Sequence, residues 1–338
     1  MRELLMSFLQ NLRRVFRSVI SLPKLVYFLF YYFNYLRNPK SSSFPKNRSI
    51  AYRTNGVSLN TAHAIGKRWY RDFQPDFSSK LGLLKLSEQN FIQAKKSMRD
   101  LGFWIAPHQI EVNKLDSFYS AAIKNLSLLK NVSIDDSEIE NVSANWNQDM
   151  INLDTQWVIE QELTLDLATD SEILRIASEY LGAPPVLNHP ESWFSFPVAN
   201  VQKESAKNWH WDCDGIKWIK VFVYINDVDF KNGPHAFVEK SHRIWKVNDK
   251  STRVREDQIL RAYGENAIKS FIAPRGTVIF EDTRGFHRGT PLLSGHRLVL
   301  QLQFNLDTFG LGKSEIKLPE SYFKSFSSRP RMLDYFVQ

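Results

Sequence analysis

Residue types that bind metal ions occur at two places that strands could bring together. His210 and Asp212 form a His-x-Asp pair just before a run that alternates like a strand, and His287 follows another such run. Two imidazoles and a carboxylate leave three positions of an octahedral ferrous ion open, as in non-haem iron oxygenases. The His-x-Asp pair alone is a weak signal, since a polar turn can contain both residues by chance. The downstream pattern has to decide between a metal site and a polar turn.

An arginine near His287 strengthens the metal-site interpretation. Arg297 lies 297 − 287 = 10 residues after His287, across a turn that contains Pro291 and Gly295. A planar guanidinium can hold a carboxylate through two parallel hydrogen bonds, which a lysine does not reproduce. Arg297 could therefore hold the far carboxylate of an acid whose other end is bound to the metal.

A lysine interrupts the aromatic face of the strand that follows the His-x-Asp pair. In "WIKVFVYI" the alternation places Lys220 on the same face as Trp218 and Phe222. A lysine buried there without a partner is costly, so Lys220 could meet a carboxylate of a co-substrate or substrate. The alternative is a lysine whose stem follows the barrel surface and whose charge lies at the rim. Trp193 is predicted in the core, with the wall of the site as its alternative.

The elements that must position these residues change in type near Gly182. Before it, helical patterns dominate, and the clearest runs from an N-cap at Asp170 to Gly182. After it, short alternating runs such as "SWFSFPV" and "RLVLQLQF" are separated by Gly, Pro and Asn turns. These runs predict a mainly β fold with flanking α-helices, of the barrel or jelly-roll type. We predict one domain over 51–338, with a helical lead-in over 60–182 and a jelly-roll core over about 183–310.

The charge of the chain is concentrated at its N-terminus. Residues 1–50 carry nine Lys or Arg and one Glu, so that 9 − 1 = +8 equals the whole net charge. The remainder contains 44 − 9 = 35 basic and 36 − 1 = 35 acidic residues. A neutral body argues against a nucleic-acid groove, which needs basic charge spread over a folded face. The single cysteine, Cys213, excludes an intrachain disulfide and favours a reducing compartment, so we expect a cytoplasmic protein and a packing role for Cys213.

The first 50 residues are predicted to form a basic amphipathic arm and a linker. Apolar residues recur at helical spacing from Leu4 to Ile20, and an uncharged aromatic run follows over 25–36. Twelve residues are too few to cross a bilayer, which takes about 17–25. We therefore predict that residues 1–37 contact a membrane surface peripherally. The alternative is that the apolar stripe packs on the body of the protein.

Taken together, several motifs resemble the phytanoyl-CoA dioxygenase family of iron(II)- and 2-oxoglutarate-dependent oxygenases. The resemblance covers roughly 85–305 and rests on "DLGFWI", "EYLGAPPVL", "HWD", "NGPHAFVEKSH" and "FHRGTP…GHR". It implies a double-stranded β-helix core of the cupin type, with O2 as a further co-substrate. It also implies iron ligands at His210, Asp212 and His287, and a 2-oxoglutarate anchor at Arg297.

The same resemblance separates these residues from other polar residues nearby. It favours Asp212 over Asp214 as the carboxylate ligand, and it gives His242 a structural place at the end of a strand. His235 and His296 match no ligand position. A contact between Lys220 and 2-oxoglutarate is our own expectation from the strand pattern.

The predicted activity is hydroxylation of an unactivated C–H bond in a small molecule. The carboxylate of Asp212 fills the position that a halide takes in related halogenases, which favours hydroxylation. Two other classes are considered, a jelly-roll protein with zinc hydrolase activity and a degenerate barrel that only binds a ligand. Arg297 argues against both, because neither needs a 2-oxoglutarate anchor. No motif identifies the substrate.

Overall fold

The structure is a computed structural model of the 338-residue chain. It describes residues 22–38, 51, 56–72, 82–134, 139, 146, 148–188, 190–198, 205–243, 253–311, 314–324 and 331–336. The predicted stripe from Leu4 to Ile20 and nearly all of the predicted linker 38–48 lie outside these residues.

Helices dominate the first half of the described chain and strands the second. The helices are α1 (Leu22–Arg37), α2 (Val57–Trp69), α3 (Glu88–Asp100), α4 (Val112–Lys130), α5 (Thr155–Glu160), α6 (Glu162–Ala168), α7 (Ser171–Leu181), α8 (Glu256–Tyr263) and α9 (Glu320–Lys324). The strands are β1 (Phe103–Gln109), β2 (Met150–Asn152), β3 (Val186–Leu187), β4 (Glu191–Ser195), β5 (Trp209–His210), β6 (Trp218–Tyr224), β7 (His235–Val238), β8 (Arg253–Val254), β9 (Ile268–Phe271), β10 (Thr277–Glu281), β11 (His287–Gly289) and β12 (Arg297–Asn305).

Two antiparallel sheets form the core. The larger has seven strands in the order β1-β10-β6-β12-β4-β2, with β3 paired to β12, and the smaller has the order β8-β5-β11-β7-β9. Phe222 and Val299 of the larger sheet pack with Phe237 and Phe271 of the smaller one, so the two sheets face each other. This confirms the prediction of a mainly β fold with flanking helices and a double-stranded β-helix core.

The alternation along β6 separates the two faces of the larger sheet. Ile219, Val221 and Val223 are fully buried in the cluster that the sheet shares with α3, α4 and α7. Lys220 and Phe222 face the smaller sheet, as the period of two in "WIKVFVYI" predicts. The face toward the smaller sheet is the one on which the site is built.

Helix ends follow the predicted capping residues. Ser87 and Asn90 form a reciprocal capping box at the start of α3. The carboxylate of Asp170 accepts hydrogen bonds from the first backbone amides of α7, and Gly182 ends that helix with φ 74°. The larger sheet, however, begins before Gly182, because β1 pairs with β10 and β2 pairs with β4. The strands of the core therefore start earlier than the predicted boundary near 183.

One face of helix α1 packs on the body of the protein, as the alternative interpretation of the N-terminal arm expected. Its face carrying Phe28, Tyr32 and Tyr35 is buried against the body, where these rings pack on Phe309. The hydroxyl of Tyr32 donates to the carboxylate of Asp307 at 2.6 Å. Within residues 22–37, the face that carries Phe28, Tyr32 and Tyr35 therefore packs on the body of the protein, and the opposite face does not. None of the described helices combines the length and the apolar character needed to span a bilayer.

Candidate active site

Strand pairing brings the two predicted histidines together. His210 of β5 lies directly opposite His287 of β11, and their ring centroids are 4.1 Å apart. Asp212 follows β5 by two residues, and its backbone amide donates to the carbonyl of Thr283 at 2.8 Å. One potential ligand atom from each of the three lies within 4.8 Å of the others, and no other such group occurs among the described residues.

Hydrogen bonds to backbone carbonyls orient both imidazoles. His210 Nδ1 is 2.8 Å from the carbonyl of Asn208, and His287 Nδ1 is 3.0 Å from that of Gly285. A carbonyl only accepts, so each Nδ1 carries a proton, and in the neutral form of each imidazole Nε2 keeps a lone pair. These Nε2 atoms lie 4.0 Å and 3.5 Å from the carboxylate oxygens of Asp212. Two lone pairs and a carboxylate thus converge on one point, as a divalent metal requires.

The pKa shifts of His210 and Asp212 favour the forms that bind a metal, whereas the pKa of His287 shifts in the opposite direction. Burial, helped by nearby His287, holds the pKa of His210 well below its usual value. Burial opposes ionisation of Asp212, but Lys220 and His287 outweigh it and hold the pKa of that carboxyl well below its usual range. Burial would also lower the pKa of His287, but the Asp212 carboxylate outweighs it and raises that pKa. At neutral pH the site therefore contains a neutral imidazole and an ionised carboxylate.

Lys220 is buried at the floor of the site. Its Nζ lies 2.8 Å from Asp212 Oδ2 and 3.1 Å from Asp214 Oδ2. The side chain is 11% exposed, so the ammonium is not at the rim of the barrel. The carboxylates that it meets belong to the protein, and a contact with 2-oxoglutarate stays a prediction.

Arg297 enters the same cavity from the first position of β12. It is 4% exposed, and its Nη2 donates to the hydroxyl of Ser195 at 3.4 Å. Its Nε and Nη1 have no hydrogen-bond partner in the part of the chain that the structure describes. A buried guanidinium with unpaired donors is costly, and a bound carboxylate would satisfy it. A Cβ at Gly289 would lie 2.6 Å from Nη2, so a glycine there leaves the guanidinium its room.

The cavity has a volume of about 320 Å³ and contains all five predicted site residues. It also contains Lys207 and Glu191, which the sequence analysis missed. Burial lowers the pKa of Lys207 to about 8, and its Nζ donates to the carbonyl of Phe196 at 2.6 Å. Burial raises the pKa of Glu191, which accepts from Gln301 Nε2 at 3.1 Å. Trp193 lines the cavity and also packs against the core cluster of Phe222 and Val299, so both expectations for this residue hold in part.

Three other histidines that the structure describes lie outside the group of three potential ligands. His235 Nε2 lies 2.8 Å from the carboxylate of buried Glu281, below His287. His242 Nε2 is 3.1 Å from the carbonyl of Arg99, at the end of α3. His296 Nε2 is 2.8 Å from the hydroxyl of Tyr119.

A double-stranded β-helix that gathers two histidines, a carboxylate and a buried arginine in one cavity has the arrangement of iron(II)- and 2-oxoglutarate-dependent oxygenases. Residues 136–298 match the family model described as Phytanoyl-CoA dioxygenase (PhyH). The resemblance to the phytanoyl-CoA dioxygenase family predicted from the motifs is therefore confirmed over these residues. Iron(II), 2-oxoglutarate and O2 are the cofactor and co-substrates of this enzyme class, as predicted.

Three solved structures are similar to this chain at low sequence identity. AviO1 from Streptomyces viridochromogenes Tue57 is 14% identical, with 65% of this chain and 96% of that chain covered and a TM-score of 0.44. HygX from Streptomyces hygroscopicus, solved with nickel, 2-oxoglutarate and hygromycin B, is 15% identical over 65% and 87%, with a TM-score of 0.43. The epimerase SnoN, solved with Fe3+, alpha ketoglutarate and nogalamycin RO, is 16% identical over 69% and 95%, with a TM-score of 0.48.

No curated protein matches the chain.

Proposed function

We propose that this oxygenase hydroxylates an unactivated C–H bond of a small molecule, with iron held by His210, Asp212 and His287. The observation that carries the proposal is the convergence of two Nε2 lone pairs and a carboxylate in the cavity where Arg297 keeps unpaired donors. Zinc hydrolysis leaves the buried guanidinium of Arg297 without a use, and a barrel that only binds a ligand differs from an oxygenase by the lack of turnover.

The chemistry supplied by bound iron is the coupled oxidation of 2-oxoglutarate and substrate by O2, which gives succinate, CO2 and the hydroxylated product. The protein's residues bind and orient the reactants. Asn208 and Gly285 fix the imidazole tautomers through their carbonyls. Arg297 holds the far carboxylate of 2-oxoglutarate, with Ser195 beside its Nη2.

Lys220 has a second role in this proposal. Its ammonium neutralises Asp212 and Asp214 in a cavity where an unpaired carboxylate would be costly. From the same position it contacts 2-oxoglutarate once the metal shares the charge of Asp212. This contact is separable from metal binding, because Lys220 offers no lone pair to the metal when it is protonated.

The substrate is proposed to carry both polar and apolar groups. Lys207, Glu191 and Gln301 place a cation, a carboxyl and an amide in the cavity, and Trp193 and Phe222 supply apolar walls. The Glu191 carboxyl accepts a hydrogen bond from Gln301, so the two side chains form one polar wall of the cavity.

Iron content and succinate release test the assignment. The full-length chain, loaded anaerobically with iron(II), is expected to bind one iron and to convert 2-oxoglutarate slowly to succinate without substrate. His287→Ala should lose both, because two remaining ligands hold ferrous ion poorly. His242→Gln is the matched control, since it keeps a donor for the Arg99 carbonyl outside the metal group. Iron lost in His242→Gln but kept in His287→Ala would refute the ligand assignment.

Hydrolysis and simple binding predict other outcomes in the same experiment. A zinc hydrolase would retain zinc and release no succinate. A degenerate barrel would bind 2-oxoglutarate or another ligand without turnover. Product mass from a coupled reaction must rise by one oxygen atom for hydroxylation to stand.

We propose further that the outer face of α1 touches an anionic membrane surface. Val26, Tyr27, Phe30 and Phe33 on this face are 60%, 53%, 61% and 43% exposed. The whole net charge of +8 lies within residues 1–50, where each Lys or Arg near an anionic leaflet contributes about 1 kcal/mol. Exposed aromatic rings beside basic residues suit the headgroup boundary.

Flotation with vesicles tests this contact without removing the buried face of α1. The unaltered chain should float with vesicles rich in phosphatidylserine and release them as salt rises. Val26→Ser with Phe30→Ser should reduce flotation at least tenfold. Leu128→Ser with Leu129→Ser is the control, because these exposed residues lie on α4. The proposal would be refuted if the α1 variant floats as well as the unaltered chain, or if the unaltered chain does not float. It would also be refuted if the chain forms a dimer through the same residues.

A further inference from the structure

A second cavity, of about 440 Å³, shares no lining residue with the candidate active site. Its walls come from α2, α3 and α7, and its floor from residues that precede β6 and follow β10. The proposed oxygenase chemistry makes no use of it.

Positive charge dominates the lining of this cavity. Six cationic side chains line it, together with one carboxylate, Glu179; the cations are Lys67, Lys95, Arg99, Lys217, Arg243 and Arg284. Lys95 pairs with Glu179 at 2.6 Å, and both Arg99 and Arg243 approach the nearby carboxylate of Asp100. For Lys67, no ion pair is seen with any residue that the structure describes. The lining thus holds more cations than its carboxylates neutralise.

The floor of the cavity is a buried cluster with an excess cation. Lys217 and Arg284 are 6% and 7% exposed, and both pair with one carboxylate, Asp282, at 3.0 Å and 2.6 Å. The hydroxyl of Tyr180 donates to the same carboxylate. Burial and the neighbouring Arg284 lower the pKa of Lys217 to about 7, as expected where two cations share one anion. A second anion above this floor would balance the charge.

The remaining wall is apolar. Phe91, Met98 and Ile176 line the cavity beside the cations. An inorganic ion would leave these side chains without a partner, whereas an organic anion would cover them. The volume of about 440 Å³ is also in the range of pockets for small organic ligands.

We propose that this cavity binds a small organic phosphate, with its oxyanion above Lys217 and Arg284 and its apolar part against Phe91 and Met98. Lys67 and Arg243, at the rim of the cavity, attract the anion and add positive charge on its outer side. The site is separate from the one that holds 2-oxoglutarate, and the inference does not depend on the proposed hydroxylation.

Calorimetric titration of the full-length chain tests this site. Phenyl phosphate is expected to bind in a saturable way and more tightly than inorganic phosphate, because only the former covers the apolar wall. Lys67→Glu with Arg243→Glu should weaken phenyl phosphate binding at least tenfold. Both side chains are exposed, so these changes should leave the fold intact. The control with the same change of charge is Lys124→Glu with Lys231→Glu, which lines neither cavity.

Arg297→Lys separates this site from the oxygenase cavity. It should leave the affinity for phenyl phosphate unchanged, because Arg297 lies in the other cavity. Three results would overturn the proposal. The first is that phenyl phosphate does not bind in a saturable way. The second is that the control pair loses as much affinity for phenyl phosphate as Lys67→Glu with Arg243→Glu. The third is that Arg297→Lys loses affinity for phenyl phosphate.

Discussion

At the scale of single residues, the guanidinium of Arg297 is the most informative group. Its burial with two unpaired donor atoms is stable only if a ligand supplies acceptors. The hydroxyl of Ser195 satisfies one end of the fork, and the guanidinium lines the same cavity as the metal-binding group. The residue is therefore prepared for a carboxylate rather than engaged in an ion pair of the fold.

Arg297→Lys tests this interpretation. A lysine keeps the positive charge but loses the planar fork, so the affinity for 2-oxoglutarate should fall at least tenfold, or about 1.4 kcal/mol. Iron content should stay as in the unaltered chain, because Arg297 is not part of the metal-binding group. The measurement is a 2-oxoglutarate titration of the iron-loaded protein. Unchanged affinity would move the anchor elsewhere, with Lys220 as the first candidate.

The sequence predicted the candidate metal ligands and the arginine of the site, but it did not predict two other polar residues that line the cavity. His210, Asp212, His287 and Arg297 could be predicted because their types and spacing match one chemistry. Lys207 and Glu191 could not, because a single lysine or glutamate carries no spacing signal. They reach the cavity only through the packing of β4 and β12 and the chain before β5.

At the scale of elements, the turn between β10 and β11 supports the metal-binding group. The carbonyls of Thr283 and Gly285 hold the Asp212 amide and the His287 imidazole. Asp282 anchors the same turn, since it is fully buried and accepts from Lys217 and Arg284. A buried ionic cluster thus stabilises the segment on which two of the three potential ligands depend.

Asp282→Asn is expected to be severely destabilising. It leaves two buried cations without a counter-charge, which costs about 3–5 kcal/mol of unfolding free energy. Asp257→Asn provides the control, because that carboxylate pairs with Arg255 and Arg261 at the surface and is 48% exposed. Its loss should cost far less than the loss of Asp282, because ion pairs exposed to solvent contribute little to stability. Urea denaturation measures both, and similar losses in the two variants would show that the buried cluster contributes little.

Elements also show where sequence patterns are ambiguous. The alternation of β6 and the caps of α3 and α7 were predicted because local chemistry determines them. The partner of the apolar stripe on α1 was not, since an amphipathic face fits a membrane and a protein core equally well. Tyr32 meets Asp307 across 275 positions of the sequence, and no local pattern reports such a contact.

At the scale of the whole molecule, stability should depend on acid pH through two buried histidines. His63 Nε2 is 2.8 Å from the carbonyl of Leu181 at the end of α7, and His242 holds that of Arg99. Burial lowers the pKa of each to about 4, and nearby Lys217 acts in the same direction. Between about pH 6.5 and 4 the unfolded chain binds protons that the folded chain does not. The free energy of unfolding should therefore decrease as the pH falls through that window.

His63→Gln isolates one of the two contributions. Glutamine keeps a donor for the Leu181 carbonyl but does not titrate. The loss of stability between pH 7 and pH 5 should be smaller by about 2 kcal/mol in this variant. Urea denaturation at both pH values is the measurement, with His108→Gln as a control at an exposed position. An equal loss in His63→Gln and the unaltered chain would rule out the histidine as a source of acid sensitivity.

The central claim concerns three ligands and one anchor in a single cavity, and a crystal structure tests it most directly. Crystals of the full-length chain would be soaked anaerobically with iron(II) and 2-oxoglutarate, and anomalous scattering would locate the metal. We predict one iron bound by His210, Asp212 and His287, with a carboxylate of 2-oxoglutarate on the guanidinium of Arg297. Iron bound elsewhere, or 2-oxoglutarate bound without a contact to Arg297, would contradict it.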